Sequence, residues 1–318
     1  MYERMAAAHI VPELLYTIWL VIYYILEAVV LSLIPNRMKA RKDISDEVVL
    51  ITGGGHGIGR SLAVRFARLR CRVIILDNNQ EWLDEAQRII ASEGADVYAY
   101  LCDVSNRQNV YECARLIQND VGEVSILVNN AGIVCSKYFM DLPDESITDV
   151  FRTNTFAHFW TLKAFLPSMM DRNHGHIITI ASVVGKGAGC AASGYISSKF
   201  AAVGLHEALE MELRMLRRTG IHMTLVCPGL VSTGLFEGAE YKFPRLVPVL
   251  DADKLAEDVV DTVLRNGHLV ITPFMAELGV RVKSLLPVKA CNAVMDFAGA
   301  TTMLNTFRGR QTTTTAIS

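Results

Sequence analysis

The chain has 318 residues, of which 51% are hydrophobic and 20% are charged, and its formal net charge is −2. This length suits one large domain or two small ones with a substantial core, and the near-neutral charge argues against nucleic acid as a partner. The seven cysteines include no CxxC pair, which indicates reduced thiols in a cytosolic environment, and neither cysteines nor histidines are grouped as metal ligands, so we expect no metal site.

An apolar run lies near the start of the chain. From Leu14 to Ile34 the single charged residue is Glu27, and a run of this length can cross about 30 Å of hydrocarbon as a helix. We predict a membrane anchor over residues 1–35, which either spans the membrane or lies in its interface. A buried core helix is an alternative. A cleaved signal peptide is disfavoured, because no basic segment precedes the run and no small residues follow it.

A short basic linker, residues 36–46, follows the predicted anchor. Its cations are Arg37, Lys39, Arg41 and Lys42. Only Arg4 precedes the anchor, so the excess of positive charge on the C-terminal side places the folded domain in the cytosol.

From residue 47 the sequence alternates short β-branched runs with longer amphipathic runs. The predicted strands are residues 48–52, 72–77, 96–101, 125–130, 176–181, 222–227 and 269–272, and the first two helical stretches are 57–69 and 80–93. Continuous apolar strands that alternate with helices indicate a parallel sheet covered on both faces. We therefore predict an α/β protein with one Rossmann-type, doubly wound domain over residues 47–273.

A glycine-rich loop follows the first predicted strand and opens the first predicted helix. Its candidate cofactor-binding residues are Gly53, Gly55, His56, Gly57, Ile58 and Gly59. Glycines allow a tight turn and a close approach of the backbone to a pyrophosphate, which binds at the N–H groups of a helix N-terminus. The strand–loop–helix order therefore predicts a dinucleotide site rather than a simple turn.

Asp77 ends the second predicted strand, 18 residues after Gly59. A carboxylate at this position can accept hydrogen bonds from both ribose hydroxyls and repels a 2′-phosphate, so NAD is predicted in preference to NADP. His56 argues weakly for NADP instead, because a partly protonated imidazole near the loop could favour a phosphate.

Two further polar segments end strands three and four. Asp103 and Val104 follow the third strand, and Asn130, Ala131 and Gly132 follow the fourth. The carboxyl ends of parallel strands are where the ligand crevice of such a sheet opens, so these residues are candidates for cofactor contact. The structural alternatives are a helix N-cap at Asp103 and a simple turn at residues 129–132.

Tyr195 and Lys199 lie four residues apart, with Ser182 thirteen residues before the tyrosine. On a helix this spacing puts the phenol and the ammonium on one face. A cation beside a phenol lowers its pKa from about 10 toward neutrality, which makes the tyrosine a usable general acid or base. Taken alone, the pair could equally be two residues on an ordinary helix surface.

These motifs together resemble the short-chain dehydrogenase/reductase family over residues 47–272. The resemblance implies that Tyr195 is the acid/base, that Lys199 lowers the pKa of Tyr195 and holds the nicotinamide ribose, and that Ser182 binds the substrate oxygen. It further implies that Asn154 holds a water on the proton relay. The segment that orients the nicotinamide carboxamide matches Pro228, Gly229, Val231 and Thr233.

The anchor, the basic linker and the segment LPVK…VMDFAG narrow the resemblance to a membrane-bound branch that contains retinol and 17-beta-hydroxysteroid dehydrogenases. The function implied is NAD-dependent oxidation of a lipophilic alcohol at the endoplasmic reticulum or on lipid droplets, by a homodimer paired through the helix after Tyr195. The alternatives are an NADPH-dependent reductase of long-chain carbonyls and a lipid-droplet protein with little turnover.

Two regions are candidates for substrate specificity. Residues 234–250 are apolar and aromatic, which suits a flexible loop over an apolar substrate, and the small residues between Ser182 and Tyr195 leave room beside the chemistry. Residues 274–318 form a C-terminal extension that rests on the membrane or packs on the core, and that ends in a polar tail.

Overall fold

The computed structural model describes residues 2–35, 38–187 and 189–309, and it divides into two units, Met1–Lys42 and Asp43–Ser318. Arg37 of the predicted linker, Ala188 and the polar tail from Gln311 onward lie outside the described residues.

The first unit contains one long helix, α1, over Tyr2–Leu33. Its segment Ile10–Leu31 has a mean hydropathy of 2.1 and is long and apolar enough to cross a membrane, and none of it is buried. This helix is therefore a candidate membrane anchor. The division into anchor, linker and extension stays a prediction.

The second unit is built on a seven-stranded parallel sheet in the order β3-β2-β1-β4-β5-β6-β7. The strands are β1 Val48–Thr52, β2 Arg72–Asp77, β3 Val97–Leu101, β4 Ile126–Asn129, β5 Gly175–Ile180, β6 Ile221–Pro228 and β7 Leu269–Thr272. The predicted Rossmann-type fold is confirmed, with strand bounds within one residue of those predicted. The strand order reverses between β1 and β4, which is where a ligand crevice opens in such a sheet.

Helices cover both faces of the sheet. They are α2 Gly57–Arg68, α3 Gln80–Ala91, α4 Arg107–Asp120, α5 Asp144–Phe151, α6 Ala157–Arg172, α7 Ser193–Met215, α8 Ala252–Leu264, α9 Phe274–Lys283 and α10 Val288–Ala298. On β1, Val49 and Ile51 pack with α2, α3 and α8, whereas Val48 and Leu50 pack with α4, α6 and α7. Because both faces are buried, the strands need continuous apolar runs rather than alternating ones.

The apolar residues of helix α7 and its C-cap lie partly in the interior and partly at the surface. Val203 and Leu213 are buried, while Phe200 and Leu216 are exposed. Part of the predicted pairing face is therefore used within the chain, and the homodimer stays a prediction.

Candidate active site

A cavity of about 370 Å³ opens over the carboxyl ends of the central strands. Its lining includes these predicted site residues: Gly53, His56, Gly57, Ile58, Asp77, Asp103, Val104, Asn130, Ala131, Gly132, Ser182, Tyr195, Lys199, Pro228, Gly229, Val231 and Thr233. Gly55, Gly59 and Asn154 lie behind this lining. Residues from seven separate chain segments thus meet at the point where the strand order reverses.

The glycine loop makes close backbone contacts that only glycine allows. A Cβ on Gly59 would lie 2.0 Å from the Gly53 carbonyl oxygen, and Gly53 itself has a φ of +63°. The start of α2 therefore packs directly on the loop, with its free N–H groups at the cavity. This cradle fits a pyrophosphate.

Thr52 and Asn130 fasten the loop to the end of β4. The Thr52 hydroxyl accepts hydrogen bonds from the backbone N–H groups of Asn130 at 2.9 Å and Ala131 at 3.0 Å. In return, the Asn130 amide donates to the carbonyl oxygens of Thr52 at 2.8 Å and Gly53 at 3.1 Å. The two strands on either side of the crevice are held at a fixed spacing as a result.

The Asp77 carboxylate is buried and held at the edge of the loop. It accepts hydrogen bonds from the Gly55 N–H at 3.1 Å and the Asn79 N–H at 3.2 Å. Beside it, the His56 ring lies 5.1 Å from the Trp82 ring, centroid to centroid. Asp77 is thus oriented by the same loop that receives the pyrophosphate, and His56 packs on an indole that the sequence did not single out.

Asp103 is exposed at the cavity mouth, where its carboxylate accepts a hydrogen bond from the Ser105 N–H at 2.9 Å. The N-cap of α4 is Asn106, whose side chain accepts from the N–H groups of Gln108 and Asn109. The alternative interpretation of Asp103 as a helix N-cap is therefore wrong, because the N-cap lies three residues later.

Asn154 lies in a π-helical turn, Arg152–Phe156, and is fully buried. Its Oδ1 accepts from the Ile133 N–H at 2.8 Å, and its Nδ2 donates to the Ile133 carbonyl at 2.9 Å and to Ser198 Oγ at 3.0 Å. The side chain joins the segment after β4 to α7, next to Lys199. π turns frequently occur at functional sites because they re-aim a helical side chain.

Lys199 is almost completely buried, and its Nζ donates to the Ile180 carbonyl oxygen at 2.9 Å. Burial lowers the pKa of this ammonium to about 8. Two buried imidazoles of the same interior, His158 and His206, have their pKa values lowered by burial to about 3 and about 4. Both are therefore neutral at pH 7, whereas a pKa of about 8 leaves the Lys199 ammonium mostly protonated at that pH.

Tyr195 is 5% exposed, and the Lys199 Nζ lies 5.8 Å from the centroid of its ring. Burial raises the pKa of Tyr195 to about 12, and a hydrogen bond from Ser182 works in the opposite direction. Removal of the phenolate from water is the larger of these two effects. The lowering of this pKa by Lys199 stays a prediction.

Ser182 is held between two backbone groups. Its hydroxyl accepts from the Val184 N–H at 3.3 Å and lies 3.3 Å from the Pro228 carbonyl oxygen. The small residue Gly185, predicted to leave room for substrate, has another role. A Cβ there would lie 2.8 Å from the Lys199 carbonyl oxygen, so this glycine allows the loop to approach α7.

The model of the short chain dehydrogenase family matches residues 47–242, which span β1 to the loop after β6. This chain belongs to the short-chain dehydrogenase family. The match contains Asp77, Ser182, Tyr195 and Lys199, and it agrees with the resemblance noted in the sequence.

Relatives of this short-chain dehydrogenase are similar along most of their length. Epidermal retinol dehydrogenase 2 from Mus musculus is 40% identical over 288 residues, which cover 90% of this chain and 92% of the relative. The 17-beta-hydroxysteroid dehydrogenase 13 from Homo sapiens is 39% identical over 282 residues, covering 89% and 92%.

A solved short-chain dehydrogenase/reductase from Burkholderia phymatum, in complex with NAD, superposes with a TM-score of 0.69. It is 25% identical, and the match covers 77% of this chain and 95% of that one. The protein is accordingly an oxidoreductase of the alcohol dehydrogenase type that uses a nicotinamide dinucleotide.

Sequence reasoning missed the aromatic residue nearest to the reacting phenol. The Phe236 ring lies 5.3 Å from the Tyr195 ring, edge to face. Phe236 lies in the predicted substrate loop, but the composition of residues 234–250 could not indicate which of its apolar side chains points at Tyr195.

Proposed function

We propose that this protein oxidises the hydroxyl group of a lipophilic alcohol, of the retinol or 17β-hydroxysteroid kind, with NAD as the hydride acceptor. The observation that carries the proposal is the position of Tyr195. On one side it lines the cavity with Lys199 and the glycine loop, and on the other it packs with the apolar residues Phe236 and Leu304. A hydroxyl on an apolar body fits such a site. The names of the relatives support this substrate class.

In this proposal the chain's own residues position the substrate and move its proton. Ser182 holds the substrate oxygen and stabilises the charge that develops on it. Tyr195 receives the hydroxyl proton at its Oη, while Lys199 binds the cofactor's ribose and keeps a positive charge behind the phenol. The nicotinamide supplies the hydride chemistry. Asn154 holds Ser198 and the segment at Ile133 in place, and the proposed relay water would bind beside it.

Asp77 supports NAD rather than NADP. Its carboxylate is 7% exposed and is already oriented by the Gly55 N–H, so it can accept hydrogen bonds from ribose hydroxyls without rearrangement. A 2′-phosphate at the same place would bring negative charge against a poorly solvated carboxylate. Val104, which is buried, and the exposed Asp103 would contact the adenine end.

We expect wild-type protein in membranes to oxidise lipophilic alcohols with NAD and to use NADP poorly. Asp77→Asn should shift the ratio of kcat/KM values toward NADP by about 10- to 100-fold, because hydrogen bonds to a charged group contribute about 1.5–3 kcal/mol. The surface variant Asp84→Asn is the control. Tighter binding of NADPH than of NADH by the wild type would overturn the proposal in favour of a carbonyl reductase, and absence of turnover with every alcohol would favour a non-enzymatic protein.

We expect the rate of alcohol oxidation to rise with pH by up to about tenfold per unit above neutrality, because the base must be the phenolate. The pKa of Tyr195 is about 12 without cofactor, and the positive nicotinamide ring of bound NAD should bring it down. Carbonyl reduction needs the protonated phenol and should fall over the same range.

Lys199→Met should move the oxidation profile to higher pH. Steady-state NADH absorbance between about pH 6 and 10 measures both directions, and a flat oxidation profile would count against Tyr195 as the base.

We propose a location at the endoplasmic reticulum membrane or the lipid droplet, with the catalytic domain in the cytosol. The length and the mean hydropathy of 2.1 of the segment Ile10–Leu31 support this proposal. Protein that is extracted from membranes by alkaline carbonate would contradict it. We also propose that the protein is a homodimer. Cross-linking of the protein in membranes would test this proposal.

A further inference from the structure

Residues 299–309, which follow α10 and are called the strap below, pair with the substrate loop of residues 234–250. The N–H groups of Arg308 and Gly309 donate to the Glu237 carbonyl oxygen at 2.8 and 3.2 Å, and the Glu240 N–H donates to the Met303 carbonyl oxygen at 3.1 Å. An ion pair joins Arg308 to Glu237 at 3.5 Å. The strap is thus fastened along the loop by backbone as well as side-chain bonds.

The fastening depends on a close approach at Gly238. Its φ is +85°, and a Cβ on it would lie 2.1 Å from the Thr306 carbonyl oxygen. The Thr306 hydroxyl also donates to the Gly238 carbonyl oxygen. Because the obstacle is backbone rather than a flexible side chain, a methyl group at Gly238 would push the strap away from the loop.

Two side chains of the strap reach the surroundings of Tyr195. Leu304 packs against the buried cluster that contains Tyr195 and Ala192. Phe307 stacks edge to face on Phe236 with 6.2 Å between the ring centroids, and Phe236 in turn contacts the Tyr195 ring. The strap therefore reaches the cluster around Tyr195 through Leu304 and lies one ring away from Tyr195 through Phe307.

The same two side chains line a second cavity, of about 490 Å³, on the outer side. Its other lining residues are Ser136, Lys137, Tyr138, Asp141, Ala191 and Asn305. Leu304 and Phe307 consequently form a wall with the Tyr195 cluster on one side and the outer cavity on the other.

We propose that Leu304 and Phe307 are specificity-determining residues of the active site, and that the strap holds the substrate loop closed over the apolar part of the alcohol. The far end of a long alcohol passes these two side chains into the outer cavity, whereas a short alcohol does not reach them. The assignment rests on the proposed function for the chemical class of the substrate. The attachment of the strap to the substrate loop does not depend on the proposed function.

Matched glycine variants test the fastening. Gly238→Ala and Gly234→Ala impose the same backbone penalty, because both residues have positive φ, but a Cβ on Gly234 meets nothing within 4 Å. In full-length protein in membranes, amide hydrogen exchange of residues 235–241 and of the strap should rise at least about tenfold in Gly238→Ala and not in Gly234→Ala. Equal exchange in the two variants would overturn the strap as a fastening.

Matched phenylalanine variants test the wall. Phe307→Ala should raise KM for long apolar alcohols by about tenfold, as expected for loss of an aromatic contact, and leave KM for short alcohols and the Kd of NAD unchanged. Phe297→Ala is the control, because Phe297 packs on Phe243, 5.1 Å away, and lines neither cavity. If Phe307→Ala and Phe297→Ala gave the same KM values for long and for short alcohols, the proposed role of Leu304 and Phe307 in specificity would be wrong. A wild type without activity on any lipophilic alcohol would overturn the proposed function and with it the substrate assignment, while the exchange experiment would still decide the strap.

Discussion

Tyr195→Phe should abolish alcohol oxidation, with a fall in kcat of about 10²- to 10⁴-fold, which is the usual contribution of a positioned acid or base. The ring of the variant keeps its packing on Phe236 and the nearby Lys199 ammonium, so only the oxygen that carries the proton is removed. The Kd of NADH, measured by fluorescence, should therefore change by less than about twofold.

A second tyrosine gives a control for this prediction. The Tyr100 hydroxyl donates to Asp120 at 3.0 Å, away from the residues that line the cavity, and Tyr100→Phe should leave kcat unchanged. If Tyr195→Phe retained wild-type turnover while binding NADH normally, the phenol would not be the acid/base. The proton would then have to be received by another group.

Gly59→Ala should prevent cofactor binding. The added methyl group would lie 2.0 Å from the Gly53 carbonyl oxygen and 2.6 Å from the Asn130 side-chain nitrogen, so the loop and α2 must separate. Overpacking of this kind typically destabilises by about 1–3 kcal/mol, and here the displaced atoms are those that receive the pyrophosphate. We expect the Kd of NAD to rise by at least about tenfold and the rise in Tm on addition of NAD to disappear.

The control for Gly59→Ala is a helical glycine with free space around it. A Cβ on Gly279 in α9 meets nothing within 4 Å, and alanine is preferred to glycine inside a helix by about 1 kcal/mol. Gly279→Ala should keep both cofactor affinity and Tm at or above the wild-type values. An equal stabilisation of Gly59→Ala and wild type by the same NAD concentration would show that the loop tolerates the methyl group.

The sheet and the cofactor end were predictable because their signals are local in sequence. A buried parallel strand needs a continuous apolar run, and the loop that receives a pyrophosphate needs glycines directly after such a run. Asp77 follows from its place at the end of β2. Each of these features depends on a short window of neighbouring residues, as do most helix and strand signals.

The substrate end was not predictable in the same way. Phe236, Leu304 and Phe307 meet at Tyr195 from segments far apart in the chain, and no spacing in the sequence links them. The burial that raises the pKa of Tyr195 likewise comes from side chains distant in the chain, so the spacing of Tyr195 and Lys199 could not indicate it.

The π-helical turn at Arg152–Phe156 sets the rotational phase between α5 and α6. In a continuous α-helix one additional residue would rotate everything after it by about 100°, whereas the π turn absorbs that residue locally. Deleting a single residue here should therefore restore an α-helical turn and displace Asn154, while the buried face of α6, with Phe165 and Met169, stays against the sheet. The inserted position thus separates the aim of an active-site amide from the packing of a core helix.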